Sequence, residues 1–149
     1  MSTAAALGRG MIAGLAGTAV MTAFQELVEM PLTRRRDSYA PADLVEAATP
    51  LHPATPAGRT RLNWAAHFGF GGAWGVGYGV AARAGLRGQR AVHAVFAVLY
   101  PADVLLATAL GVYSPRRWSV QDWVVDAGNK YLALQATGQV YDRLLARED

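Results

Sequence analysis

The sequence predicts an all-α fold, a polytopic four-transmembrane-helix bundle with one long loop between its first two helices. Three observations predict it. Charged residues make up 17% of the chain, against roughly 25% in an average soluble domain, and hydrophobic residues make up 52%. Long stretches run almost free of Asp, Glu, Lys and Arg. Glycine is concentrated inside one of those stretches rather than at turns. The 149 residues suffice for one domain and are too few for two comfortable ones.

A spanning helix needs about 20 mostly apolar residues. Gly10 to Gln25 is free of charge and reaches spanning length if it runs on past Glu26, giving a first helix over about 8–29. Leu62 to Ala82 meets the length directly and gives a second over 62–83. Ala91 to Pro115 is interrupted only by Asp103 and gives a third over 89–113. Tyr131 to Tyr141 is short, so the fourth, 118–145, must tolerate Asp122, Asp126 and Lys130 within it. The joins agree. "RAGLRGQR" (83–90) and "SPRR" (114–117) are short, charged turns. The only long connection, 31–61, holds five of the seven prolines. Within it, "PADLVEAAT" (41–49) predicts a short amphipathic helix with proline in its first turn, lying on the membrane surface or capping the bundle. Two other readings compete. An Arg before an apolar run at the N-terminus fits a signal peptide, but no clear small-x-small cleavage site follows. A soluble helical protein fits the mean hydropathy of only +0.14.

Orientation stays open. Arg9, Arg83, Arg87, Arg90, Arg143 and Arg147 fall on one side of such a bundle, and Arg34, Arg35, Arg36, Arg59, Arg61, Arg116 and Arg117 on the other. That balance gives the positive-inside rule nothing to act on. Trp64, Tyr113 and Trp118 would share the side of the long loop, where interfacial aromatics belong.

The stretch "HFGFGGAWGVGYG" (67–79) has six glycines in thirteen residues. A phosphate-binding G-x-G-x-x-G starting at Gly69 fails because position 74 is Trp74. A flexible linker would be polar, whereas Phe68, Phe70, Trp74, Val76 and Tyr78 interleave here. Helix packing fits. Gly71, Gly75 and Gly79 recur every fourth residue, as do Gly10, Gly14, Thr18 and Thr22 in the first helix. Small residues let helix backbones approach closely inside lipid. The two stripes therefore predict an antiparallel pair.

Charges inside a bilayer cost about 2.5–3.5 kcal/mol each on insertion scales and call for partners. One more turn along the two stripes reaches Glu26 and His67, which predicts that they lie near one another. The plain alternative puts Glu26 at the interface and His67 on a backbone carbonyl. Counting inward from the 114–117 turn puts Asp103 and Lys130 at similar depth, with Asp126 one turn before Lys130. Asp122, Asp126, Asn129, Lys130 and Thr137 share a face that should point inward. Either a structural ion pair or a proton- or cation-handling site fits. Pro101 can free a carbonyl beside Asp103. "TRRRD" (33–37) places Arg34, Arg35 and Arg36 where lipid headgroups are the fitting partner, ahead of nucleic acid.

"AGLAGTAVMTAFQELVE", the proline-rich loop and "HFGFGGAWGVGYG" together resemble the small four-span bacterial inner-membrane proteins of the YagU-like type, whose function is unknown. The residues that carry the resemblance are Gly17, Thr18, Met21 and Glu26, then His67, Phe70, Gly71, Trp74, Gly75, Tyr78 and Gly79. In the last segment Lys130 stands about where the family's His would be. The resemblance implies a multi-pass protein of the bacterial inner (plasma) membrane and carries over no established activity.

The leading expectation is therefore a structural or accessory membrane protein, not an enzyme, packing through glycine-rich faces as a homo-oligomer or in a larger membrane complex. The alternative is an oligomeric proton- or ion-conducting or small-solute transport protein using the buried Asp, Lys, His and Glu cluster. With no cysteine and three histidines, no metal site or other cofactor is implied. No H-E-x-x-H or Ser-His-Asp order suggests an intramembrane enzyme.

Overall fold

The computed structural model describes residues 2–145, so Arg147 lies outside it. Every regular element among the described residues is helical. Helix α1 runs over Thr3–Thr33, α2 over Ala40–Ala48, α3 over Pro56–Arg83, α4 over Gly88–Ala109 and α5 over Val120–Val140. The four long helices alternate in direction, and α2 sits against α3 at the end where the long loop lies.

Local chemistry moves the helix ends away from where charge alone would put them. The expected 8–29 starts earlier because Ser2 caps α1, its hydroxyl accepting the Ala5 N–H at 3.1 Å. It ends later because Pro31 does not stop the helix. Proline lacks an N–H, and its ring clashes with the carbonyl four residues back. A π-turn over Gln25–Glu29, in which the Met30 N–H reaches Gln25, widens the helix just before it. The chain leaves α1 through Arg34 at φ 56°. The second span begins at Pro56 rather than 62: Thr55 caps it at 3.0 Å from Gly58 N, and Pro56 occupies the first turn. The 31–61 connection is correspondingly shorter than expected. The third span stops at Ala109, not 113. Gly111 takes φ 76°, and the Val112 N–H closes onto Ala107 at 2.8 Å, a left-handed C-terminal cap. The fourth starts at Val120, not 118, behind a reciprocal cap between Ser119 and Asp122. The helix expected over 41–49 spans Ala40–Ala48 and caps the bundle.

Small residues set the packing. Gly10 and Gly14 of α1 lie against Gly75 and Gly71 of α3, so a Cβ on Gly14 would come within 2.8 Å of Gly75 Cα. On its other side α1 meets α5 backbone to backbone, where a Cβ on Gly17 would sit 3.0 Å from Thr137 N. Thr18 and Thr137 satisfy their hydroxyls on their own helices, each donating to the carbonyl four residues back at 2.8 Å. The glycine stripes are therefore used up inside the chain. Larger side chains hold α4: Val92 and Val95 pack with Tyr78, Leu134 and Tyr141 in the half of the bundle away from the long loop.

The other half is hollow, and the outside is apolar. Met11, Ile12, Val20, Phe24 and Leu27 project outward from α1, and Val98, Leu105 and Leu106 from α4. The buried set is mostly Ala, Val, Gly and Thr. Both α1 and α4 are long and apolar enough to cross a membrane, yet only 28% of each apolar stretch is buried in the bundle.

Candidate functional site

The hollow half holds two adjoining cavities. A vestibule of about 250 Å³ lies under the 34–41 strap, between the C-terminal end of α1 and the N-terminal ends of α3 and α5. A deeper chamber of about 110 Å³ continues between the helices, with Gly14, Gly71, Leu134 and Thr137 around it. Met21, His67, Tyr113 and Lys130 line both.

Lys130 stands at the junction. Its Nζ donates to Asp103 Oδ2 at 2.6 Å and to Asp126 Oδ1 at 2.8 Å. It also donates to the Tyr113 hydroxyl at 3.2 Å, which in turn makes a long 3.4 Å bond to Asp126. The ammonium lies 5.0 Å from the Tyr113 ring centre and 5.5 Å from that of Tyr100. Three helix features produce this group: the i, i+4 spacing of Asp126 and Lys130, the antiparallel run of α4 beside α5, and the glycine-capped turn that folds Tyr113 back over both. Side-chain exposures of 21% for Lys130, 25% for Asp103 and 17% for Asp126 leave the group in contact with the cavity and little else. Two carboxylates share one ammonium, so the group carries one net negative charge. Burial raises the Tyr113 hydroxyl to about 12, so it stays a donor.

Glu26 and His67 both line the vestibule, but no hydrogen bond joins them. His67 Nε2 meets the Thr22 hydroxyl at 2.9 Å, one turn nearer the middle of α1. Glu26 is exposed on the vestibule wall. The reason is register: Gly14 faces Gly71, which puts Thr22, not Glu26, level with His67. The more enclosed acid of α1 is Glu29, which accepts from the Thr33 hydroxyl at 2.7 Å. Asn129 is buried beside Lys130 and lines the vestibule. Arg35 binds Asp122 at 2.6 Å and approaches Glu29 at 3.9 Å, tying the strap to α5 while its side chain stays part-exposed. Arg34 and Arg36 are exposed.

Sequence reasoning missed two features. One is the clamp at the far end, where Asp142 accepts from the Tyr78 hydroxyl at 2.6 Å and from Gly88 N at 2.9 Å. A buried tyrosine in the glycine stripe was its only sign. The other is the latch on the strap. Arg59 binds Asp43 and Glu46 of α2, and lies over the Tyr39 ring at 5.0 Å. Asn63 adds bonds to Ala42 N and the Ser38 carbonyl.

No family model matches this chain, and no curated protein or solved structure matches it either. The site must therefore be read from its own chemistry.

Proposed function

We propose that this is a four-span protein of the bacterial inner membrane that receives a small solute in the cavity at its long-loop end. The solute reading is carried by one observation: a cavity that leads from the loop end to a charged Lys130–Asp103–Asp126 group and stops at a packed floor. Below the chamber, Leu134 and Tyr78 are fully buried in the apolar half. Supporting the spans is the outward display of large apolar side chains on α1 and α4, the reverse of a soluble core helix. Helix α3 lies alongside α1 from the Gly79 level to the His67 level, so a membrane crossed by α1 is crossed by α3 as well. Helix α5 turns its Asp126, Asn129 and Lys130 inward, as ionisable groups in a bilayer require. The bacterial inner-membrane location is assigned on the family resemblance.

Cysteine accessibility tests both parts, since the chain has no cysteine of its own. His52→Cys in the long connection and Ala84→Cys in the α3–α4 turn should react with an impermeant thiol reagent from opposite sides of the membrane. Asn129→Cys should react with a small methanethiosulfonate from the His52 side only. Labelling of the first two from one side overturns the spans. Protection of Asn129→Cys from both sides overturns the open cavity.

A second reading, an accessory subunit, draws on the breadth of the apolar face of α1. The glycine stripes no longer support it, because they are occupied within the chain. The native mass extracted in mild detergent decides: a particle carrying other polypeptides favours the subunit, and this chain alone or as a homo-oligomer favours the solute reading.

A further inference from the structure

The cavity has a charge and a surface that select among solutes. The chain as a whole carries +3, yet its cavity walls are acidic. Asp103 and Asp126 have one ammonium between them. Arg35 is drawn toward Asp122, outside the cavity, at 2.6 Å, and only approaches Glu29 at 3.9 Å. At the mouth Arg36 offsets Asp37. Glu26 has no cationic neighbour within ion-pair distance among the described residues. The walls thus hold more negative charge than their own cations neutralise.

The remaining surface is aromatic. Tyr39, Trp64 and Tyr113 line the vestibule. Two of these rings already carry a cation on their faces, Arg59 over Tyr39 and Lys130 over Tyr113, each at 5.0 Å. Trp64, the strongest cation-binding ring of the three, carries none among the described residues and is 42% exposed. The register that sets Thr22 level with His67 sets Glu26, one turn on, level with Trp64, almost one turn back on the antiparallel helix. An unneutralised carboxylate and a part-exposed indole, its ring packed by Phe68 and His67 on its own helix, therefore stand at the same height on two walls of one cavity. Among the described residues no three acidic or imidazole groups converge as a bare metal ion would require. An organic cation, with a charge for the carboxylate and a methyl or methylene surface for the ring, matches both walls. At about 250 Å³ the vestibule takes a small one.

We propose that the vestibule binds a small alkylammonium or quaternary ammonium ion between Glu26 and Trp64. This rests on the solute-cavity reading above and names its ligand class. The test uses the full chain in zwitterionic-lipid nanodiscs, titrated with choline and separately with its neutral carbon isostere, in which carbon replaces the nitrogen. Binding is read by calorimetry and by tryptophan fluorescence. Choline should bind at least about tenfold more tightly than the isostere. Glu26→Gln should remove that preference, Trp64→Phe should weaken choline in part, and Trp64→Ala should weaken it further. Glu26 is exposed and Trp64 is partly so, and unchanged thermal unfolding of each variant confirms that it folds. Equal binding of choline and the isostere overturns the cation assignment while leaving the solute cavity standing. Binding of neither ligand, with Asn129→Cys reactive as expected, overturns the cation assignment alone. Binding of neither with Asn129→Cys protected overturns both. A choline preference that survives Glu26→Gln and Trp64→Ala overturns the placement of the site.

Discussion

Removing the Lys130 ammonium is the sharpest perturbation of the interior. Lys130→Met keeps the length of the stem and deletes the charge. Asp103 and Asp126 would then face each other across the chamber mouth with no cation, at side-chain exposures of only 25% and 17%. Breaking a buried pair by removing one partner costs about 3–5 kcal/mol. Vestibule water and the Tyr113 hydroxyl soften this, so the expected loss lies at the low end, about 3 kcal/mol. The informative comparison is the triple variant Lys130→Met, Asp103→Asn, Asp126→Asn. With no charge left to strand, it should recover most of that loss, because a neutral polar cluster of similar shape has little to desolvate. Reversible unfolding in mixed micelles, followed by helical circular dichroism, gives both differences. A loss below about 1 kcal/mol for Lys130→Met would match an exposed ion pair and refute the enclosed site. A triple variant no better than the single one would show that the cluster holds the bundle by geometry rather than by charge.

Other substitutions separate the packing seam, the far clamp and the strap. Gly14→Ala drives a Cβ against Gly75 Cα at 2.8 Å, where backbone cannot yield, and should lower stability by at least about 1–3 kcal/mol; Gly128→Ala, with nothing within 4 Å, should be neutral or raise it by up to about 1 kcal/mol, both read by thermal unfolding. Tyr78→Phe removes a 2.6 Å bond to the Asp142 carboxylate and should cost about 1.5–3 kcal/mol without changing the reactivity of Asn129→Cys. Arg59→Ala frees α2 from its latch. Arg59 is 37% exposed, and its partners Asp43 and Glu46 are 42% and 19% exposed, so stability should fall by about 1 kcal/mol, while hydrogen exchange over 34–49 rises and that of α3 beyond Asn63 stays unchanged.

What the sequence shows and hides follows from the range of the interactions involved. The helices and their antiparallel pairing are legible because the glycine stripes, the apolar runs and the turns are local and periodic. The Lys130–Asp103 contact is legible too, because two helices joined by a short turn keep equal depth on both sides of it. The boundaries shift where a single side chain decides them: Ser2, Thr55 and Ser119 start helices, and Gly111 ends one. Glu26 and His67 share the vestibule as expected of neighbours, but the hydrogen bond to His67 comes from Thr22, one helical turn earlier. Spacing fixes the period of each stripe but not the offset between stripes. That offset is set by which glycines meet, and Gly14 on Gly71 was one of several registers of equal period. The latch and the clamp were hidden for the same reason: Arg59–Glu46 and Tyr78–Asp142 join segments whose relation depends on the completed fold.

The division of the bundle into a packed and a hollow half bears on whether the charged group conducts or captures. A conducting path needs polar groups or water along its whole length. Here the polar series runs from the vestibule to Lys130 and then meets Leu134, which is 1% exposed, and Tyr78, which is fully buried. Tyr78 is fixed at its hydroxyl by Asp142 and packed at its ring against Tyr141, with centroids 5.3 Å apart. Opening a route there would break a charge-assisted hydrogen bond and separate the buried apolar cluster around Tyr78. At the loop end the barrier is different in kind: Arg59, Asn63 and Arg35 hold the strap by partly exposed polar contacts, each individually weak. On the proposed solute reading, a ligand would meet a low barrier to enter and a high one to pass through. That asymmetry is why we read the site as a place of capture, with the strap rather than the floor as the element that yields.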